Sequence, residues 1–272
     1  MRKYNLNETF FDELNETSAY WLGFLYADGS VRMKYGRSGE LKLKLKSTDK
    51  DHISIFLKDI QSDAPIKCGT SRNDGSKFCY VLINSNHMVR RLFELGCVQN
   101  KTLKIRLPKL VDELMSHFVR GYFDGDGCIT KVKNRKNTFS VTICSNKNFN
   151  KDLVEYLNLG KIYEKENYSV IHINKIEEIK KFKSFIYPEN VFSLLRKRSI
   201  FEQIIDGYKR DYETTVKRKK YKLTNPDGLV IITNNLRLSC EKNNLVYSTM
   251  SNLSRGIGKT NKGWKCELLI NN

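Results

Sequence analysis

Two aspartates occupy matching positions in two similar segments of the chain. The segments are Ala19–Gly29 and His117–Gly127, and Asp28 and Asp126 each stand directly before the final glycine. If each segment is a helix, its closing carboxylate faces the negative end of the helix dipole, which costs about 0.3–1 kcal/mol. Its presence twice predicts a positive partner, and hard cations such as Mg²⁺ take carboxylate and carbonyl oxygens. The pair therefore predicts metal-assisted chemistry to which each segment contributes one acid.

The two segments belong to a longer internal repeat. Gly23 and Gly121 are separated by 98 residues, as are Asp28 and Asp126. Two copies of a unit of roughly 95 residues account for residues 15–205. Each copy predicts helix, hairpin, helix, hairpin and helix. We therefore expect an α/β (α+β) chain with two αββαββα repeats, over residues 1–107 and 108–207.

Small residues lie on one stripe of each motif helix. The second of these helices is expected to start at Pro108, and the first to be capped by Thr17 or Ser18. Gly29 and Gly127 are expected to take the left-handed position that often ends a helix. The stripe would let the two helices cross closely and bring both aspartates together; its members are Gly23, Ala27, Gly121 and Gly125.

The predicted hairpins alternate between apolar and basic residues. Leucines and lysines alternate through Glu40–Lys46, which predicts half-buried antiparallel sheets with helices on the apolar side. The opposite face is expected to contact nucleic acid through Arg32, Lys34, Lys42, Lys44, Lys131, Lys133 and Arg135. An ordinary solvated sheet surface is the alternative for any single strand.

Composition narrows the classes of partner. The chain has 48 Lys and Arg against 30 Asp and Glu, a net charge of +18, which favours a polyanion such as nucleic acid. No run is long and apolar enough for a spanning helix, and no secretory signal opens the sequence. The seven cysteines are scattered and no C-x-x-C pair occurs, so we expect small core residues rather than disulfides or zinc sites, in a reducing compartment.

The two motifs resemble those of the LAGLIDADG homing endonucleases. WLGFLYADG at 21–29 and VRGYFDGDG at 119–127 carry the resemblance, which covers about residues 10–205. It implies that Asp28 and Asp126 bind metal and are catalytic, with Ala27 and Gly125 as further metal ligands. Two or three Mg²⁺ ions would be shared between the acids, and Mn²⁺ would substitute. Asp124 fills the earlier acid position of the second motif, where the first has Tyr26, and the family tolerates variation there.

The resemblance also implies a basic residue near the catalytic centre in each repeat. Lys147 fits in the second repeat. In the first, Lys46 and Lys50 are candidates, while Asp49 is the alternative occupant of the equivalent position. The alternative for each lysine is a solvated charge at a strand end.

The C-terminal part predicts a basic linker and a small module. Residues 208–222 are rich in Lys and Arg, including Lys217 and Arg218, and read as a linker that follows phosphates or as a solvated tether. The module at 223–272 is expected to contain a strand at 229–232 and helices at 236–244 and 248–255. A tight turn between the two helices predicts a helix-turn-helix-like arrangement. It resembles nuclease-associated modular DNA-binding domains, with Thr249, Asn252 and Arg255 as candidate groove residues. A capping module without DNA contact is the alternative.

These features together predict a site-specific, Mg²⁺-dependent DNA endonuclease that acts as a monomer in the cytoplasm of a bacterial or phage-infected cell. By resemblance, it would make a double-strand break with short 3′ overhangs in a long, asymmetric duplex site. An RNA maturase and a cleavage-inactive DNA-binding regulator are the alternatives. A membrane-surface protein is disfavoured because the basic face lies on strands. An intein is disfavoured because the first motif begins at Trp21.

Overall fold

The computed structural model describes residues 3–33, 39–100, 104–131, 139–205 and 219–270. The side chains of residues 131 and 270 are outside this description, although their backbones are included. The chain divides into two compact units, Met1–Glu202 and Gln203–Asn272. The first unit holds the first predicted repeat and residues 108–202 of the second.

The first repeat has the predicted order of elements. A helical turn at Ser47–Asp49 precedes its second helix. Its elements are α1 (Glu16–Asp28), β1 (Gly29–Arg32), β2 (Glu40–Lys46), α2 (Lys50–Asp59), β3 (Lys67–Thr70), β4 (Lys77–Asn84) and α3 (Asn86–Glu94).

The second repeat follows the same order, and a further helix comes after it. The elements are α4 (Asp112–Asp126), β5 (Gly127–Lys131), β6 (Phe139–Ser145), α5 (Lys147–Leu157), β7 (Lys161–Glu164), β8 (Ser169–Ile173), α6 (Ile176–Ile186) and α7 (residues 195–205). The predicted αββαββα pattern is confirmed in both copies.

The two sheets have the same antiparallel topology. Their strand orders are β1-β2-β4-β3 and β5-β6-β8-β7. The glycine after each motif aspartate opens the edge strand, since Gly29 pairs with Leu43 and Gly127 pairs with Ile143. Each motif helix therefore passes directly into a sheet.

Helices α1 and α4 lie side by side and run in the same direction. A Cβ atom on Gly23 would lie 1.9 Å from the carbonyl oxygen of Phe118, and one on Gly121 would lie 1.9 Å from that of Tyr20. Nearer the C-terminal ends, a Cβ atom on Gly125 would lie 2.3 Å from the Cβ atom of Ala27. The matching pairs reveal an internal pseudo-two-fold relation, and they confirm the predicted close crossing on small residues.

Both helix starts differ from the expectation. Asn15 caps α1, because its side chain accepts from the backbone N–H groups of Thr17 and Ser18, while the Ser18 hydroxyl accepts from the Asn15 N–H. Thr17 and Ser18 thus lie inside the helix. Helix α4 begins at Asp112 rather than Pro108, without a side-chain cap. Acidic residues in its first turn, Asp112 and Glu113, favour this start through the helix dipole.

The glycines that end the motif helices are required by space and not by a left-handed backbone. Gly29 has φ −76° and Gly127 has φ −70°, both extended, so the expected left-handed conformation is wrong. A Cβ atom on Gly29 would lie 2.6 Å from the Leu25 carbonyl oxygen, and one on Gly127 would lie 2.1 Å from the Phe123 ring. Glycine therefore lets each strand start tight against its own helix.

The C-terminal unit is a three-stranded antiparallel sheet with two short helices. Its sheet has the order β10-β9-β11, and a separate apolar core contains Leu223, Leu236, Cys240 and Met250. The elements are β9 (Lys219–Thr224), β10 (Val230–Thr233), α8 (Leu236–Lys242), α9 (Tyr247–Leu253) and β11 (Lys265–Ile270). Strand β9 includes residues 219–222, which were expected to belong to the linker. The two helices lie close to their predicted positions, but β9 and β11 were not predicted.

The cysteines correct one prediction. Cys68 and Cys79 are directly opposite on β3 and β4 and form a disulfide. Cys128 and Cys144 are exposed, whereas Cys97 is buried. The expectation that all seven cysteines are unpaired core residues is therefore wrong, and the argument that it supplied for a reducing compartment no longer holds.

Within the described residues, no helix combines the length and apolar character needed to cross a bilayer.

Candidate active site and nucleic-acid interface

The two motif aspartates lie at the paired C-terminal ends of α1 and α4. Both residues are exposed, while Gly29 and Gly127 behind them are buried. The Asp28 Oδ2 atom is 3.4 Å from the position that a Cβ atom on Gly125 would take. The parallel crossing therefore brings the acid of the first repeat beside the second motif. Asp28 and Asp126 are called the acid pair below.

A buried lysine supplies positive charge at this end of the helices. Lys197, in the first turn of α7, is 6% exposed. Its Nζ atom donates to the carbonyl oxygens of Phe123 at 2.8 Å and Gly125 at 2.9 Å. Burial lowers the pKa of Lys197 to about 8, while Asp124, Asp28 and Asp126 act in the opposite direction. Lys197 thus lies within the field of the acid pair.

Sequence reasoning missed Lys197. It stands between Arg196 and Arg198, so neither residue type nor spacing distinguishes it from its neighbours. Only the packing of α7 against the C-terminal end of α4 does so.

The motif position two residues before each aspartate of the acid pair has a structural role in both repeats. It is occupied by Tyr26 in the first repeat and by Asp124 in the second. Asp124 is 1% exposed and accepts from the Tyr20 hydroxyl at 2.8 Å, from the Leu194 N–H at 2.8 Å, and from the Tyr187 hydroxyl. Burial raises the pKa of Asp124, and these three hydrogen bonds partly offset the rise. In the first repeat, Tyr26 donates to the Leu95 carbonyl oxygen at 2.7 Å. Each side chain therefore links its own motif helix by hydrogen bonds to the C-terminal part of the same repeat.

A cavity of about 250 Å³ opens beside Asp126. Tyr122, Cys144 and Ser145 are among the residues that line it, and the Tyr122 hydroxyl donates to the Ser145 hydroxyl at 2.9 Å. Burial raises the pKa of Tyr122, with smaller contributions in the same direction from Asp126 and Asp28. The Tyr122 phenol therefore stays neutral near the acid pair.

The lysines predicted for the catalytic centre lie at the ends of strands and the starts of helices. Lys147 opens α5 and forms an ion pair with Glu164 at 3.2 Å. Lys46 ends β2 and Lys50 opens α2, and both are exposed. Their catalytic role stays a prediction.

The Asp49 alternative in the first repeat is paired with a cation from the second. Arg196 Nη2 lies 2.8 Å from Asp49 Oδ2, and Asp49 and Asp28 both raise the pKa of Arg196. The negative charge of Asp49 is therefore balanced by Arg196, in the segment that also carries Lys197.

The lysines of β2 lie on the face of the sheet that is away from the helices. Lys44 is exposed and Lys42 is half-buried, whereas Leu41 and Leu43 are buried. This alternation confirms the predicted division of the strand. Arg32 is directed to Glu40, since its Nε atom donates to Glu40 Oε1 at 2.7 Å, so part of its charge is neutralised within the sheet.

Several predicted nucleic-acid contacts cannot be placed. Lys131 pairs with Phe139 through the backbone of β5, and its side chain is outside the description. The other predicted residues outside the described part of the chain are Lys34, Lys133, Arg135, Lys217 and Arg218.

The three candidate groove residues of the C-terminal unit lie on and after α9. Thr249 and Asn252 are half-buried, and Arg255 is exposed beyond the end of the helix. Arg255 Nη2 donates to Asn252 Oδ1 at 2.6 Å. The two long side chains therefore form one polar group on the surface of this unit.

The acid end of the helix pair suits a hard cation. Its donors are two exposed carboxylates, and such oxygens are the ligands that Mg²⁺ prefers. The Gly125 carbonyl oxygen already accepts from Lys197. Among the described residues, no group of three or more His, Cys, Asp or Glu side chains could hold a metal. A site with two protein carboxylates leaves the remaining positions to water and substrate phosphate, as is usual for Mg²⁺. The chemistry of the acid pair therefore fits Mg²⁺.

Comparison with known families identifies the second repeat. Residues 113–187 match the model of the LAGLIDADG-like domain. The match begins in α4 and ends just after α6.

Comparison with curated proteins finds distant, much longer relatives. An uncharacterized protein of Methanocaldococcus jannaschii is 24% identical over 219 residues, which cover 74% of this chain and 23% of the relative. The chain spans less than a quarter of the length of the curated relatives that it matches.

Comparison with solved structures gives the same fold. The LAGLIDADG meganuclease I-AabMI bound to uncleaved DNA has a TM-score of 0.53 at 13% identity, covering 74% of this chain and 93% of that one. The LAGLIDADG homing endonuclease I-GzeII in complex with its DNA target has a TM-score of 0.52 at 12% identity, covering 74% and 92%. This chain has the LAGLIDADG homing endonuclease fold.

Proposed function

We propose that this chain, which carries a LAGLIDADG-like domain and has the fold of the LAGLIDADG meganucleases, is a site-specific DNA endonuclease that hydrolyses phosphodiester bonds. One observation carries the proposal: the close parallel crossing of α1 and α4 places an exposed aspartate from each repeat at the same end of the helix pair. The fold alone would not require an acid at this position in both repeats.

Double-stranded DNA is the proposed substrate. The chain carries a net charge of +18, and lysines project from the open face of the first sheet. Such a field attracts a polyanion and releases its counterions. The two repeats are joined within one chain, so a monomer presents two different sheets, which favours a long and asymmetric site.

Asp28 and Asp126 would hold Mg²⁺, assisted by the carbonyl oxygens of Ala27 and Gly125; the Gly125 oxygen would be shared with the Lys197 ammonium group that it already accepts from. Bound divalent ions supply Lewis-acid charge for phosphodiester hydrolysis. Two or three ions shared by the acid pair, replaceable by Mn²⁺, are part of the proposal. One acid acts on each strand, which gives a double-strand break with short 3′ overhangs.

Lys197 has a defined place in this scheme. Its ammonium group is anchored by two carbonyl oxygens, so its charge is fixed before DNA arrives. A preorganised cation stabilises the negative charge that develops at the phosphate in the transition state. Lys147, two residues after Ser145 of the cavity lining, is a further candidate, although its ion pair with Glu164 must open for it to act.

The C-terminal unit is proposed as an additional DNA reader. Asn252 and Arg255 form its candidate contact group, and Lys217 and Arg218 in the preceding segment would follow phosphates. The alternative activity, an RNA maturase, would use the same basic surface, but it gives no specific reason for an aspartate at both helix ends.

End sequencing of DNA tests the proposal. Genomic DNA and a randomised duplex library are incubated with the protein in Mg²⁺ or in EDTA. We expect Mg²⁺-dependent ends at one sequence, with complementary 3′ overhangs on the two strands. Tight binding without discrete ends would contradict the endonuclease and favour a cleavage-inactive binder, with intron RNA as the next substrate to test.

A further inference from the structure

The strand registers allow the two sheets to be compared position by position. Gly29 pairs with Leu43 and Gly127 pairs with Ile143, so these positions of β2 and β6 are equivalent. Leu43 pairs in turn with Val81, and Ile143 with Ile171. It follows that Lys42 and Lys44 correspond to Thr142 and Cys144, and that Leu82 corresponds to His172.

The central strands of the first sheet carry fixed positive charge. Together, β2 and β4 contain four lysines and one glutamate. Lys42 Nζ lies 4.8 Å from the centre of the Tyr80 ring, and Lys44 Nζ lies 3.8 Å from that of Phe78. Cation–π contacts of this kind hold an ammonium group in place on an exposed surface. The first sheet thus presents an ordered row of cations.

The central strands of the second sheet carry no such charge. β6 and β8 contain no Asp, Glu, Lys or Arg. His172 lies opposite Thr142, with its Nδ1 atom 3.3 Å from the Ser140 hydroxyl. Tyr163, 49% exposed, packs edge-on against the His172 ring with 4.9 Å between centroids. The middle of this sheet therefore presents hydrogen-bonding side chains in place of the lysines, and a hydrogen bond and a ring contact orient His172 among them.

We infer that the two repeats recognise the two halves of the target by different chemistry, with His172 and Tyr163 as specificity-determining residues of the second. This inference rests on the proposed DNA endonuclease function. Lysine contacts to phosphate contribute affinity that is sensitive to salt and insensitive to sequence. Neutral donors and acceptors contribute little counterion release but distinguish base edges in the major groove. With Nδ1 directed to Ser140, Nε2 is the ring nitrogen that His172 can offer to a base.

Selection from a randomised duplex library tests the inference. Full-length protein is used with Ca²⁺ in place of Mg²⁺, so that DNA is bound without being consumed. Wild type, His172→Ala and the double variant Lys42→Gln/Lys44→Gln are compared by the base preference of the enriched sites and by the salt dependence of Kd.

The two variants should have opposite effects. His172→Ala should lower discrimination about tenfold at one to three adjacent base pairs of one half-site, with an unchanged salt slope. The double lysine variant should keep the base preferences and reduce the slope of log K against log salt by about 1.8, or about 0.9 for each lost phosphate contact. If His172→Ala folds poorly, Thr142→Val serves as the second variant. It removes a hydroxyl next to His172 at nearly constant volume, and it should relax the base preference in the same half-site.

Three results would decide against the inference. Unchanged base preference in both His172→Ala and Thr142→Val would remove the second sheet as the reader. Loss of base preference in the double lysine variant would mean that the first sheet reads sequence. If wild type itself enriches no site, the proposed function is contradicted and the inference falls with it. If wild type enriches a site and either of the first two results is found, the inference alone is contradicted.

Discussion

The Nζ atom of Lys197 lies 2.9 Å from the carbonyl oxygen of Gly125, the residue directly before Asp126. A second hydrogen bond, to the Phe123 carbonyl at 2.8 Å, fixes the same ammonium group. A lysine that follows α6 in the chain is thereby built into the end of the second motif helix. The proposed catalytic end of this fold is therefore assembled from three segments, α1, α4 and the start of α7.

Replacing Lys197 should slow cleavage much more than it weakens binding. Lys197→Met keeps most of the buried volume and removes the charge near the acid pair, so we expect a loss of about 10²-fold or more in single-turnover rate. Lys175→Ala is the control, since Lys175 is exposed, pairs with Glu178 at 2.9 Å and has no proposed role in the reaction. Rates and Kd are measured together, with thermal unfolding to verify folding. Equal rates for wild type and Lys197→Met would exclude Lys197 from the reaction.

A side chain at the centre of the helix crossing should destabilise the first unit. In Gly121→Ala the new Cβ atom would lie 1.9 Å from the Tyr20 carbonyl oxygen, so α1 and α4 must separate. We expect a loss of about 3 kcal/mol, despite the better helix propensity of alanine. Gly75→Ala is the control, because Gly75 has φ 70° but nothing within 4 Å of its Cβ position, which isolates backbone strain. Denaturant unfolding measures both, and equal losses would contradict the close crossing.

The sequence allowed prediction of the repeat, its αββαββα order and the crossing on small residues. These features follow from hydrophobic periodicity within each element and from two motifs that match residue by residue. The exact helix starts could not, since Asn15 competes with Thr17 and Ser18 as a cap and only the backbone geometry decides. Strand β9 was not predicted because it begins in a lysine-rich run, and such a run is equally typical of a linker. Lys197 and the Cys68–Cys79 pair depend on contacts between elements that no local pattern encodes.

His52 should make stability depend on pH on the acid side. Burial lowers the pKa of His52 to about 4, with Arg196 acting in the same direction and Asp49 against it, whereas the unfolded value is about 6.5. Between these values the unfolded chain binds more protons, so the free energy of unfolding should fall as pH drops from about 6.5 to 4.

The variant His52→Gln tests this origin, because it leaves a neutral polar group near the Tyr20 hydroxyl, which lies 3.0 Å from His52 Nε2. In this window the slope of its unfolding free energy against pH should be smaller than that of wild type, by the equivalent of up to one bound proton. Identical pH slopes would show that other groups cause the dependence.

The disulfide between β3 and β4 should contribute measurably to stability. It joins residues 11 positions apart, and closing a loop of this size stabilises by about 2–3 kcal/mol. Cys68→Ser should therefore lower the unfolding free energy by this amount under non-reducing conditions and by little in reductant. Thiol titration of the unfolded wild-type chain should find five free cysteines, whereas seven would contradict the bond.

The measurement that tests the central claim most directly is linearisation of a plasmid carrying the selected site, with Asp126→Asn beside wild type. Both proteins should bind the site with similar Kd, because the carboxylate is proposed to hold Mg²⁺ and contributes little to affinity. Wild type should give linear DNA in Mg²⁺ and none in EDTA, while Asp126→Asn should give no linear product. Linear DNA from Asp126→Asn at the wild-type rate would contradict the assignment of the acid pair as the catalytic centre.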